Sequence, residues 1–192
     1  MALGLLGWAL ISIIAIIIII ILGMFWYYYN RFVVLENRIE NSAAQIDVQL
    51  KKRADLIPNL VKTVSGYAKH EKKIMEEVTK ARAEMLKAGN LQAKVKAGDA
   101  IQAALSKIFA IAENYPQLKA NENFLQLQTE LAAIEDKIAY ARQYYNDSVL
   151  AYDNATSMFP GVFFFKLYGK TKKEYLKIPE AEKSVPSIKF EE

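Results

Sequence analysis

The one histidine among 192 residues, His70, would be the natural general base of a proton-transfer site, because its ordinary pKa lies close to neutrality. Its neighbours, Lys69-His70-Glu71-Lys72-Lys73, form a charged run whose ordinary role is a solvated helix surface. Adjacent carboxylates at Glu76-Glu77 and Glu135-Asp136 could share a proton only if they converged, and neighbours on a helix point about 100° apart. No HExxH, no glycine-rich phosphate loop behind a strand and no G-x-S-x-G is present. The absence of cysteine excludes disulfides, thiolate metal sites and a cysteine nucleophile. Asn146-Asp147-Ser148 and Asn154-Ala155-Thr156 match the glycosylation sequon but lie inside a helical pattern, and read as chance. These residues point to no catalytic site, cofactor or metal.

Polar residues that interrupt apolar faces are more informative. Asn41, Gln45, Asp47, Arg53 and Asn59 lie beside the first apolar stripe, and Arg142 and Asn146 flank the last at a spacing of four. A buried polar group is costly unless paired, so those facing inward are expected to form inter-helix hydrogen bonds that fix register. The alternative for each is simple exposure.

The elements that carry these residues are long helices. Phe124, Leu127, Leu131, Ile134, Ile138, Ala141, Tyr145, Ser148, Tyr152, Ala155 and Phe159 alternate spacings of three and four. Asn121 is placed to cap this helix and Pro160-Gly161 to stop it. Upstream, Ile101, Leu105, Ile108, Ala112 and Tyr115 repeat the rhythm up to Pro116, with 116–121 as the turn of a helical hairpin. The first stripe, Leu35, Ile39, Ala43, Ile46, Leu50, Ala54, Ile57, Val61, Val64 and Ala68, crosses Pro58 in phase, which suggests a kink or a restart. Tyr67, Ile74, Val78, Ala81 and Met85 continue it, and Gly89-Asn90 and Gly98-Asp99 are expected to bracket a polar connection. The fold class is all-α: an antiparallel up-and-down bundle of three or four long helices, with an N-terminal transmembrane helix. The expected division is an anchor over 1–30, a bundle over 31–159 and a basic, aromatic segment over 160–192.

The anchor itself is plain. The first thirty residues carry no charged side chain, and Leu5 to Trp26 is almost unbroken apolar sequence with isoleucine at every position from Ile16 to Ile21. That length makes a helix of roughly 33 Å, enough for a hydrocarbon core of about 30 Å. Leu5, Trp8, Ile16, Ile21, Trp26 and Tyr27 mark it, the last two in an aromatic belt. A cleaved signal peptide would show a basic start, a shorter apolar core and a small-residue cleavage site, none of which is present. Arg31, Arg38, Lys51, Lys52 and Arg53 follow the span with only the α-amino group before it, placing the body of a single-pass protein in the cytoplasm.

Residues 160–177 interleave Val162, Phe163, Phe164, Phe165, Leu167, Tyr168, Tyr175 and Leu176 with Lys166, Lys170, Lys172, Lys173 and Lys177. Against the single Glu174 this gives a local charge of +4, equal to that of the whole chain. Phe163, Phe164, Phe165, Lys166 and Lys170 form a candidate membrane contact, each lysine near an anionic surface contributing about 1 kcal/mol. In the alternative, the phenylalanines close the end of the bundle. Nucleic acid is not an expected partner, because the charge is small and gathered along no recognisable motif.

The stretches NRIENSAAQIDVQLKKRADLIPNLV (37–61), YPQLKANENFLQLQ (115–128) and IAYARQYYNDSVLAYDNATSMFP (138–160) resemble the LemA family of bacterial membrane proteins. The family often carries an aromatic where this chain has Ala43, and an asparagine where it has Asp153. The resemblance implies a single N-terminal anchor and an antiparallel bundle, supplies no catalytic residue, and carries links to magnetosome formation and to gene neighbourhoods with membrane proteases. The expected function is a non-enzymatic, membrane-anchored scaffold that self-associates as a homo-oligomer and organises or shapes the lipid bilayer. The alternative is an adaptor that presents envelope or membrane proteins to a protease or another membrane-protein partner.

Overall fold

The computed structural model describes residues 2–177, with side chains from residue 7 onward. Its helices are α1 (Ala2–Tyr67), α2 (Lys72–Lys87), α3 (Leu91–Ala112), α4 (Pro116–Lys119), α5 (Glu122–Ser157) and α6 (Gly161–Leu167), and all regular structure among the described residues is helical. Two compact units divide the chain. One joins residues 2–41 with Asn146–Glu174, and the other joins Ser42–Tyr145 with residues 175–177.

The second unit is an up-down-up-down bundle, as the order of its contacts shows. Along α1 and α2, Arg82 meets Ala54 while Met75 shares a surface with Val61, so the two run antiparallel. Lys107 of α3 bonds Glu77 of α2 at 2.7 Å while Tyr115 lies opposite Glu71. Arg142 of α5 pairs with Asp99 of α3 while Phe124 packs edge-on against Phe109. The centre is aliphatic: Ile46, Leu50, Ile57, Leu60, Ile101, Leu105, Ile108 and Ile138 are all buried. Each such side chain contributes about 2 kcal/mol of transfer free energy.

The chain breaks over 68–71, which ends α1 and leaves His70 exposed in a turn, not on a helix surface. Pro58, in contrast, lies inside α1. Proline has no N–H to bond the carbonyl four residues back, and that carbonyl, on Ala54, accepts a hydrogen bond from Arg82 Nε of α2 at 2.7 Å. A neighbouring helix thus supplies the donor that the proline removes.

Gly98-Asp99 does not close a connection as expected. Helix α3 already starts at Leu91, capped by Asn90, whose side-chain oxygen accepts from the Ala93 N–H at 2.8 Å. Gly98 is buried within it because a Cβ there would lie 2.5 Å from Leu50 Cδ2. The glycine serves a close approach of α1 and α3. Asn121 caps α5 as expected, accepting from the Phe124 N–H at 3.0 Å. The expected turn at 116–121 contains the single helical turn α4, with proline at its start. Along α5 the stripe is buried except for Leu127, which is half-buried, and Phe159, which lies beyond the helix end and is exposed.

Candidate functional site

Arg53 is among the largest fully buried side chains of the described residues, at 1% exposure. It reaches from α1 to Glu135 of α5, and its Nη1 donates to the Gly98 carbonyl of α3 at 3.2 Å. Arg142 pairs with Asp99 beside it, so two cations and two anions meet between three helices. Burial, and then the charge of Arg142, lower the Arg53 pKa to about 10 against the opposing effect of Asp99, which still leaves the guanidinium protonated at neutral pH. Between α1 and α3, Lys94 Nζ donates to Asp47 Oδ1 at 2.7 Å. Of the residues expected to form a register network, Arg53, Arg142 and Asp47 are ion-paired. Asn41 and Gln45 are exposed, as is Asn59, so none of the three belongs to a buried network. Asn146 is half-buried and falls in the other unit. Asp99 and Glu135, the acids that neutralise the arginines, were not singled out from sequence as members of a network. The signal for Glu135 was its spacing of seven from Arg142, which places both on one helix flank.

The second candidate lies in the unit that carries the apolar span. From Trp8 to Leu22 every large apolar side chain is exposed, including Ile16 and Ile21. None of the described residues covers them, and α1 is long and apolar enough over this stretch to cross a membrane. Leu5 lies outside the residues whose side chains are described. Trp26 and Tyr27 are exposed at the end of the span, Trp26 at 76%, as aromatic residues of a lipid–water boundary are expected to be.

Just beyond, α6 packs on α1 through rings. Phe164 stacks on Tyr28 with centroids 4.8 Å apart and meets Phe25 edge-on at 5.1 Å. The Tyr168 hydroxyl donates to the Phe25 carbonyl at 2.8 Å. Two glycines permit this docking. A Cβ on Gly161 would overlap the Ala155 carbonyl oxygen. Gly169, at φ +59°, ends α6 with its own N–H on the Lys166 carbonyl and that of Lys170 on the Phe165 carbonyl at 3.2 Å, the paired bonds of a left-handed helix cap.

Glu36 secures the strand of chain that follows. Lys170 Nζ donates to its Oε2 at 2.6 Å and Lys173 lies 3.6 Å from its Oε1. The Tyr152 hydroxyl is 3.0 Å from the Thr171 carbonyl and 3.3 Å from Glu36 Oε1, and gives its single hydrogen to one of them at a time. Partial burial pushes the Glu36 carboxyl up, but the hydrogen bond and charge of Lys170, with Lys173, outweigh it and hold the pKa below its usual value. Burial, then the Glu36 charge, pushes the Tyr152 phenol up to about 12.

Two residues of the candidate membrane contact are therefore structural: Phe164 is buried and Lys170 is held by Glu36. Phe165 is half-buried, while Phe163 and Lys166 are exposed. Among the described residues no group of three or more His, Cys, Asp or Glu is placed to hold a metal ion.

A model of the LemA family matches residues 42–190. This chain belongs to the LemA family. Magnetosome protein MamQ of Magnetospirillum gryphiswaldense is 25% identical over 173 residues, covering 77% of this chain and 64% of that relative. Magnetosome protein MamQ 2 of Paramagnetospirillum magneticum is 24% identical with the same coverage. Protein LemA of Metamycoplasma hominis is 28% identical over 133 residues, covering 65% of this chain and 59% of that relative. The chain thus spans less than two thirds of the length of these relatives. The LemA-family match takes in the Arg53–Glu135 and Arg142–Asp99 pairs and α6, while the apolar span precedes it. With that span, the chain is a membrane-associated member of the family.

Proposed function

We propose that this LemA-family protein is a non-enzymatic, single-pass scaffold of the cell membrane, its body in the cytoplasm, that self-associates and organises or shapes the bilayer. The observation that most supports this is α1, one helix that holds both the apolar span and a buried stripe of the bundle. Packing between copies of the body can then act on the lipid-embedded segment, since neither proline nor glycine loosens Tyr27 to Leu35. The ionisable groups at the candidate sites are engaged in pairs that hold helices together, which suits a scaffold better than a catalyst. Tyr140 and Tyr144, four apart on α5, expose aromatic surface of the kind enriched in protein interfaces. Tethering in one bilayer concentrates copies, so each contact can be weak. Amine-directed crosslinking in native membranes is expected to give a ladder of homo-oligomers. A band of monomer alone, with crosslinking of a known oligomer in the same membranes, contradicts self-association.

One observation favours the adaptor reading. A polar groove of about 660 Å³ lined by Asn59, Lys62, Asn121, Gln126 and Glu130, among others, offers amide and charged groups to a peptide segment. Stoichiometric co-purification of one membrane-protein partner, lost on substitution of Asn59 and Gln126, supports it. Retention of the partner in that variant contradicts it.

A further inference from the structure

The inner face of α6 is spoken for, with Gly161, Phe164 and Tyr168 turned onto α1. On its outer face no described residue covers Phe163 and Leu167, which are four apart and 59% and 52% exposed, and in the turn before the helix Met158 and Phe159 are 62% and 89% exposed. An exposed apolar cluster of this kind on an otherwise polar surface marks a contact with a membrane or a protein.

Its position decides which. Tyr168 bonds the Phe25 carbonyl and, with Leu22 and Trp26, lines one surface groove, so α6 is fastened at the very end of the apolar span. Trp26 and Tyr27, the belt residues, occupy the same level of α1. Lysine is the charge at hand: Lys166 on α6 and Lys172 after it are both exposed. A short helix with aromatic residues on one face and lysines at its border is the composition that lies in the plane of an anionic lipid–water boundary.

We propose that α6 and the turn before it form a second, interfacial contact with the bilayer. Phe159, Phe163 and Leu167 enter the headgroup boundary of the leaflet from which α1 emerges, and Lys166 and Lys172 meet anionic phospholipid headgroups. The inference rests on the reading of the apolar stretch of α1 as a spanning anchor. Its consequence is mechanical. A spanning helix alone is free to rotate and tilt, and its orientation is set by interfacial anchors; α6, stacked on one side of α1, fixes which side faces the membrane plane.

The absence of cysteine makes depth measurable on the full chain. Single Phe163→Cys and Leu167→Cys variants carry an environment-sensitive dye. Leu22→Cys serves as the embedded reference and Glu84→Cys, exposed on α2, as the solvent reference. The chain is reconstituted in phosphatidylcholine vesicles with or without phosphatidylglycerol, and quenched by aqueous iodide or by lipids brominated on their acyl chains. The expected result is blue-shifted emission, quenching by brominated lipid and loss of iodide quenching at 163 and 167, as at 22 and unlike 84. Iodide access at 163 and 167 with protection at 22 overturns the α6 contact and leaves the anchor standing. Iodide access at 22 as well overturns both. Protection from iodide without quenching by brominated lipid, together with energy transfer between labelled copies, assigns the face to a second copy and overturns the lipid contact. The double variant Lys166→Glu, Lys172→Glu is expected to lose quenching at 163 selectively in phosphatidylglycerol vesicles, and unchanged quenching there overturns the role of the lysines.

Discussion

The unit built from Ser42–Tyr145 holds its helices in register with buried charge, whereas the unit that carries the apolar span holds α6 with stacked rings and one carboxylate. The chemistry follows from what must be fixed in each. Long helices with repeating apolar stripes can slide by a turn at little cost in burial, and a buried ion pair penalises every register but one. A helix of seven residues cannot form a stripe, and large rings give it the most contact area per residue. Glycine appears in both roles of close approach, Gly98 beside Leu50 and Gly161 beside Ala155.

Four experiments break or sharpen this contrast. The largest effect is expected from Glu135→Ala, which leaves Arg53 buried without its carboxylate and should cost about 3 kcal/mol in thermal or denaturant unfolding of the nanodisc-reconstituted chain. Arg53→Met combined with Glu135→Leu should recover most of that loss, because it removes both charges together. A loss under about 1 kcal/mol, the range of exposed pairs, would show that charge does not hold this bundle.

Gly161→Ala comes next, at about 2 kcal/mol of overpacking, read locally. Hydrogen exchange should rise across 161–170 and stay unchanged across the bundle helices; unchanged exchange at α6 would mean that the ring stack does not need this glycine. Arg82→Ala should cost about 1–2 kcal/mol by stranding the Ala54 carbonyl, and much less in a Pro58→Ala background, where the new N–H takes that carbonyl. Additive losses in this cycle would show that Arg82 does not compensate the proline.

The smallest effect is the acid response of Glu36. Its folded pKa is lowered, so its contribution to stability is complete above its unfolded pKa and is lost as pH falls through the folded value. Hydrogen exchange over 168–173 should therefore rise selectively below the ordinary range of glutamate, and Glu36→Gln should remove that pH dependence. An identical acid profile in the variant would assign the response to another group.

Much of this architecture was legible in the sequence. The three-four spacing located α1 and α5, Asn121 marked a cap, and the uninterrupted apolar start marked the span. What escaped was non-local. Gly98-Asp99 reads as a turn because glycine and aspartate favour turns, and only the proximity of Leu50 shows that a helix needs the glycine there. Arg53 was suspect from its place beside the stripe, but its partner lies on another helix and was named only as half of an adjacent acid pair. Of Phe163, Phe164 and Phe165, identical in type, the start of α6 at Gly161 selects Phe164 to turn inward. The donor for the carbonyl that Pro58 leaves open had no sequence signal at all, since Arg82 lies on a different helix.

Self-association beside a bilayer is tested most directly by electron microscopy of the full-length chain extracted together with its native lipid. Rings, cages or curved lipid-bound assemblies of many copies are the predicted result. A field of isolated single-copy particles, at a protein density matching that of the source membrane, would contradict it.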